Sequence, residues 1–150
     1  MKVPYYKQEF WFSCFAACMR MILEYYGIKK SERDLRVLLK TTPVHGTIWE
    51  IAEREIKAIG FELIHKNHMA YEELVHLTKE LGIPVIISID IEHGKKNVGH
   101  VGVVVDIEDD AIVLYDPKKG ITTYNREEFL GLWSKRRNKA GYIIQPTRMP

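Results

Sequence analysis

The order of its periodic segments is the feature of this chain that most limits its fold. Apolar residues recur at helical spacing through the first half, whereas the second half consists of short runs rich in β-branched and aromatic residues. Helices followed by strands joined through short turns predict an α+β fold, with the leading helix packed on a C-terminal antiparallel sheet. No linker, repeat or low-complexity stretch interrupts this order, so we expect residues 1–150 to form one domain.

Four helices are predicted between residues 14 and 82. The first covers residues 14–25, with Ser13 as its N-cap and Gly27 just past its C-terminus. The second begins at Ser31, with Asp34 three residues on. The third begins at Thr47, with Glu50 three residues on, and ends at Gly60. The fourth runs from Tyr71 to Leu81 and ends at Gly82.

The predicted strands are marked by turn residues at their ends. Asp109 and Asp110 form one such turn, and the polar stretch Glu92–Gly99 is expected to be a loop. A short helix is expected at Asn125–Lys135, with Asn125 as cap. The strand-like runs are FELIH, as an edge strand, and PVIISID, HVGVVVDIE, AIVLYD, GITTY and GYIIQP.

A cysteine begins the first predicted helix, and a glutamine precedes it. Cys14 would lie in the positive field of the helix N-terminus, which favours the nucleophilic thiolate. Gln8, six residues upstream, carries an amide that can donate a hydrogen bond to an oxyanion at a substrate carbonyl. Together the two residues indicate covalent acyl chemistry.

A cysteine nucleophile needs a base and a residue that orients the base. Of the six histidines, His100 begins a strongly apolar strand and has glycines on both sides, Gly99 and Gly102. Asp116 ends the next strand, and the two residues lie eight before and eight after Glu108, so a hairpin centred there places them roughly opposite each other. Taken singly, each residue also has a purely structural interpretation: His100 as a histidine at a strand end, and Asp116 as a turn-forming aspartate. Three other aspartates lack this mirrored position: Asp90, Asp106 and Asp110.

Charge and cysteine content exclude several classes of protein. The net charge of +2 is too small to indicate a polyanionic partner, and the basic cluster at 135–139 is interpreted as a solvated helix end, so no nucleic-acid partner is expected. Cys14 and Cys18 lie four apart on one helical face, which suits neither a disulfide nor a zinc site. We therefore expect reduced thiols, no metal and no cofactor. Without a signal peptide or a long apolar run, a cytoplasmic location is expected.

Three blocks of the chain resemble the papain-like bacteriocin-processing cysteine peptidases, which cut leader peptides after a double glycine, and their stand-alone relatives. The second block is SERDLRVLLKTTPVHGTIWEIAEREIKAIGFEL. The first block is VPYYKQ, then Cys14, Ala17, Met21 and Tyr25-Tyr26-Gly27; the third is PVIISID, His100, Asp116-Pro117, Gly120, Phe129 and Trp133. The resemblance covers nearly the whole chain.

The resemblance implies a papain-like fold and a role for each candidate residue. Cys14 would be the nucleophile, His100 the general base and acid, and Asp116 the residue that orients His100. Gln8 and the backbone N–H of Cys14 would form the oxyanion hole. The implied reaction is hydrolysis of a peptide or isopeptide bond. Acyl transfer, as in the papain-like phytochelatin synthases, and a catalytically silent peptide-binding domain remain alternatives.

The implied partners are a peptide or protein substrate, with a leader peptide as one candidate, and a membrane exporter that the chain would join in trans. The oligomeric state is left open. Trp11 and Gly99 are expected to contact the substrate.

Two positions beside Cys14 depart from the family pattern. Ser13 stands where an acidic or amide residue is common, and Phe15 stands where the family usually has glycine. We expect Phe15 to border the substrate channel, either crowding it or shaping it for a different peptide. The aromatic run 10–12 has two interpretations, core anchors, which we prefer, or an apolar wall beside the site.

Overall fold

The computed structural model describes residues 1–145, so the final proline predicted for the last strand, Pro146, lies outside the described residues. The elements are, in chain order, α1 Cys14–Tyr25, α2 Glu32–Leu38, α3 Trp49–Ala58, β1 Glu62–Lys66, α4 Tyr71–Val75, β2 Val85–His93, β3 Lys96–Glu108, β4 Ala111–Asp116, β5 Gly120–Asn125, α5 Arg126–Ser134 and β6 Ala140–Ile144. A π-helical turn, His76–Glu80, continues α4. No helix among these residues is long and apolar enough to cross a membrane.

The six strands form one antiparallel sheet in the order β1-β6-β2-β3-β4-β5. This confirms the α+β prediction and the placement of β1 at a sheet edge. Each face of the sheet carries a hydrophobic core. One core joins α1, α2 and α3 to the sheet through residues such as Met19, Leu35 and Val103. The other joins α4 and α5 to it through residues such as Leu74 and Trp133.

Helix α1 begins and ends at the predicted residues, but its first turn is not capped as expected. Gly27 has φ +91°, its N–H donates to the Glu24 carbonyl, and the N–H of Ile28 donates to Leu23, which is a Schellman ending. Ser13 lies at the N-cap position, yet its side chain makes no cap hydrogen bond. Its hydroxyl instead forms hydrogen bonds with the backbone of Phe10, in the preceding loop.

The other helices follow the predictions with one shift. Ser31 accepts the Asp34 N–H, which confirms the cap of α2. The N-terminus predicted at Thr47 is wrong, because α3 begins at Trp49 and the Thr47 hydroxyl is engaged by that of Thr41 at 2.7 Å. Helix α5 carries the predicted cap at Asn125 as a complete capping box.

The polar segment expected to be a loop between β2 and β3 is a hairpin. The two strands pair as far as His93 and Lys96, which leaves Gly94 and Lys95 as the turn. Strand pairing depends on backbone hydrogen bonds, so exposed polar residues continue it without an apolar pattern. The prediction of a loop over Glu92–Gly99 was therefore wrong.

A β-bulge in β3 reverses the alternation of side chains along this strand. On the turn side of the bulge Ile107 pairs with Ile112, whereas beyond it Val104 pairs with Leu114. Val105 is the extra residue, and Ile107 and Val104 pack in the same core cluster although they are three residues apart. A shift of one residue moves every later side chain to the other face, so the bulge decides which face the N-terminal half of β3 presents.

Candidate active site

His100 and Asp116 lie on the same face of the sheet and form a buried pair. His100 is 5% exposed, and its Nε2 lies 2.7 Å from Asp116 Oδ1. Val103 is the partner of Tyr115. If this register continues, Asp116 lies opposite Gly102. The sequence prediction placed His100 and Asp116 roughly opposite each other about a turn centred on Glu108. The turn is centred between Asp109 and Asp110 instead, so the two residues are offset by two positions in register, and their side chains meet along a diagonal.

The Asp116 carboxylate is fixed by the turn that follows it. Its Oδ1 also accepts the backbone N–H groups of Lys118, at 2.8 Å, and Lys119, at 3.1 Å. Burial alone would raise the pKa of Asp116, but the hydrogen bond and charge of His100 and these two N–H groups outweigh burial and lower it. Asp116 is therefore a fixed anion in contact with Nε2 of the His100 ring.

Cys14 faces His100 from the first turn of α1. Burial acts to lower the pKa of His100, but hydrogen bonds and negative charge from Asp116 and Cys14 outweigh it and raise that pKa to about 9. Since Nε2 is bound to Asp116, Nδ1 is the ring nitrogen left for the Cys14 sulfur. His100 is therefore protonated at neutral pH and faces the Cys14 sulfur.

Cys18 has a different environment, although it lies one turn further along the same helix. It is fully buried, and its Sγ donates to the Val101 carbonyl at 3.6 Å. Burial, with smaller contributions from the charges of Cys14 and Asp116, raises the pKa of Cys18 well above its ordinary value. Cys18 is therefore a neutral core thiol.

Gln8 is joined to the same turn as Asp116. Its backbone N–H donates to the Pro117 carbonyl at 2.8 Å. Its side-chain Nε2 donates one hydrogen bond, to the Phe10 carbonyl at 2.7 Å. An amide nitrogen carries two N–H bonds, so the second is left for another acceptor.

The loop between Gln8 and Cys14 is held by a buried acid that sequence reasoning missed. Glu32, in the first turn of α2, is 1% exposed, and its Oε1 accepts the Glu9 N–H at 2.9 Å and lies 3.2 Å from the Ser13 hydroxyl. Its Oε2 accepts Arg36 Nε at 3.0 Å. An acid in a first helical turn is usually exposed and complements the helix dipole, so the sequence carried no signal of this contact.

A cavity of about 210 Å³ opens beside Cys14 and His100. Trp11, which is 65% exposed, and Phe12 line it on one side, and residues 43–46, including His45, line it on another. Gly99 also lines this cavity, which we call the groove. The preference for core anchors in the aromatic run was wrong for Phe10 and Trp11, because both side chains are exposed.

Phe15 lies in the core, away from the groove. It is 3% exposed, and its ring packs edge-on against Trp49 with the centroids 4.9 Å apart. It is not among the described residues that line the groove. The Phe15 ring therefore packs between α1 and the core, and it leaves the approach to the Cys14 sulfur open.

Among the residues whose side chains the structure describes, no group of three or more potential metal ligands occurs. The fold and the site together define a cysteine peptidase of papain-like fold, in which a cysteine on a helix faces a histidine on an antiparallel sheet. The sequence model of the Peptidase C39 family matches residues 2–137, and the chain belongs to that family.

Three solved peptidase structures are similar in fold to this chain. The peptidase domain of Streptococcus ComA, a bi-functional ABC transporter involved in quorum sensing, has a TM-score of 0.77 at 22% identity, over 97% of this chain and 100% of that one. A C39-like peptidase from Bacillus anthracis has a TM-score of 0.74 at 15% identity, over 98% and 96%. A double-glycine motif protease from an AMS/PCAT transporter, solved with its leader peptide, has a TM-score of 0.73 at 19% identity, over 97% and 93%. Among curated protein sequences no match is found.

Proposed function

We propose that residues 1–150 form one peptidase domain that hydrolyses a peptide bond through a thioester on Cys14. His100 is its general base and acid, Asp116 orients His100, and Gln8 completes the oxyanion hole. The observation that carries the proposal is the buried 2.7 Å pair of His100 and Asp116, beside a cysteine at the start of a helix.

In the acylation step the Cys14 thiolate attacks the substrate carbonyl carbon. The second side-chain N–H of Gln8 and the backbone N–H of Cys14, which has no partner within the helix, stabilise the oxyanion. The His100 imidazolium then gives its proton to the departing amine, the C–N bond breaks and a thioester remains. In the second step neutral His100 takes a proton from water as the water oxygen attacks the thioester. The C–S bond then breaks, the carboxylic acid leaves, and the Cys14 thiolate and the His100 imidazolium are restored.

The substrate proposed is a peptide of the leader type. The groove offers apolar side chains, Trp11 and Val44, around a polar centre at Cys14 and His100, which suits an extended peptide. One structural neighbour was solved with a leader peptide and another is part of an ABC transporter. We propose by analogy that this chain acts in the cytoplasm on a leader peptide and joins an exporter in trans.

The proposal is tested by trapping the thiol. Iodoacetamide or a peptide aldehyde should modify Cys14 much faster than Cys18, with the site found by mass spectrometry of the digested chain. The Cys14→Ala variant should remain unmodified at that rate, and Cys18→Ala should behave as the wild type. Equal and slow modification of both cysteines would contradict the proposal.

Product analysis then separates the reactions open to a thioester. A substrate peptide containing a double glycine should yield two fragments with free carboxylate and amine ends. If added glutathione is recovered on the carboxyl fragment, the chain is an acyl transferase. Binding of the peptide without any Cys14-dependent product would identify a silent binding domain.

A further inference from the structure

A second cavity, of about 360 Å³, lies at the turn between α5 and β6 and shares Gly99 with the groove. Four of its lining residues are cationic, in a chain whose net charge is only +2: Lys135, Arg136, Arg137 and Lys139. Ser88 and Asn67 add polar groups. No Asp or Glu is among the described residues that line this cavity or the groove.

Two of these cations already have partners, and two do not. Arg136 pairs with Asp90 at 2.6 Å, and Lys139 lies 5.2 Å from the Trp49 ring centroid. Within the described part of the chain, Lys135 and Arg137 have no acidic partner, and both are exposed. They are therefore available to an anion from outside.

The backbone of this turn is held in place before any ligand binds. The Arg137 carbonyl accepts the His68 N–H at 2.6 Å, and the Asn138 carbonyl accepts the Met69 N–H at 3.1 Å. Arg137 has φ +58°, a conformation that costs a residue with a side chain some free energy. The backbone that carries these cations is thus preorganised, which lowers the entropy lost on binding.

Gly99 connects this cavity to the reacting centre. A Cβ added to Gly99 would lie 3.6 Å from Ser88 Oγ and 3.7 Å from the Arg136 side chain, and the next residue is His100. The groove and the cationic cavity therefore meet at Gly99, so an extended peptide that crosses Gly99 in the groove reaches the edge of the cavity. Lys118 adds a further cation to the groove itself.

We propose that the cavity at the α5–β6 turn is a subsite that binds an aspartate or glutamate side chain of the peptide substrate, close to the bond that is cut. This inference rests on the proposed function, which supplies the class of substrate, a peptide. It adds that the peptide carries a negative charge. A peptide is favoured over a nucleic acid, because the cations surround a small cavity beside the groove. None of the described residues that line the cavity is aromatic, so a base would have no ring to stack on.

The experiment uses the full chain with Cys14→Ala, so that bound peptide is not cut and the result does not depend on catalysis. Two fluorescein-labelled peptides, alternating glycine with either glutamate or glutamine, are titrated by fluorescence anisotropy. The glutamate peptide should bind about fivefold more tightly, and the preference should shrink at about 0.5 M NaCl. Adding Lys135→Gln with Arg137→Gln should abolish the preference. Lys95→Gln with Lys96→Gln, which removes the same charge at the exposed β2–β3 turn, should retain it.

Equal binding of the two peptides, or a preference that survives Lys135→Gln with Arg137→Gln, would overturn the inference. Tighter binding of oligothymidylate than of the glutamate peptide, dependent on the same two residues, would also overturn it and assign the cavity to nucleic acid. Failure of the proposed function is recognised separately, by the absence of fast Cys14 modification in the wild type.

Discussion

His100 and Asp116 form their hydrogen bond across a diagonal of the β3–β4 pair because Val105 is an extra residue in β3. Without the bulge, the register between Ile107 and Ile112 would continue and His100 would face the opposite side of the sheet from Asp116. One irregular residue, five positions from His100, thus determines that the pair exists.

Asp116→Asn should lower kcat/KM by about 100-fold, a loss typical of impaired general acid–base catalysis. Asparagine keeps the shape but loses the charge that supports an imidazolium. The assay is cleavage of the double-glycine peptide. Asp106→Asn, the same change at an exposed position beside the bulge, should leave kcat/KM within about twofold. Similar losses in both variants would show that the effect is not specific to the pair.

The pH profile should show an alkaline limb near the pKa of His100, about 9. Protonated His100 is needed to give the leaving amine its proton, so kcat/KM should fall as pH rises through that value. Asp116→Asn removes a group that raises the pKa of His100, and the limb should move to lower pH. A limb that stays in place in Asp116→Asn would contradict this assignment.

The same shift predicts a pH dependence of stability. The folded-state pKa of His100 lies above its ordinary value of 6.5, so its contribution to the free energy of unfolding is complete below about pH 6.5 and lost as pH rises through about 9. Urea unfolding of the wild type should show this decline between those pH values. His100→Gln should show a smaller one, and an equal decline in the variant would assign it to other groups.

Glu32→Gln should lower the free energy of unfolding by about 2 kcal/mol, because hydrogen bonds to a charged acceptor from the 9–13 loop and from Arg36 are weakened. The loop carries Cys14 at its end, so the rate of Cys14 modification by iodoacetamide should fall as well. Glu9→Gln breaks only the exposed side of the network and should cost less than about 1 kcal/mol. Equal losses of unfolding free energy in the two variants would show that the buried contacts of Glu32 contribute no more than the exposed ion pair of Glu9.

Much of this fold could be predicted because its signals are local. Caps at Ser31 and Asn125, and the glycine that ends α1, involve residues within a few positions of one another. The bulge at Val105 could not be predicted, since valine suits either face of a sheet buried on both sides. Glu32 was missed for a related reason: its partners come from a loop that only the tertiary fold brings to it.

Phe15 gives the sharpest contrast between sequence position and spatial position. Next to Cys14 in the chain, it packs in the core against Trp49, whereas Trp11 is exposed at the groove. Phe15→Ala should therefore cost about 3–5 kcal/mol of unfolding free energy without changing KM for the peptide. Trp11→Ala should have the reverse effect, with nearly unchanged stability and a KM raised several-fold, because it removes an apolar wall of the groove. Urea unfolding and peptide kinetics on the two variants measure both quantities, and a lower KM in Phe15→Ala would show that the phenyl ring obstructs the substrate after all.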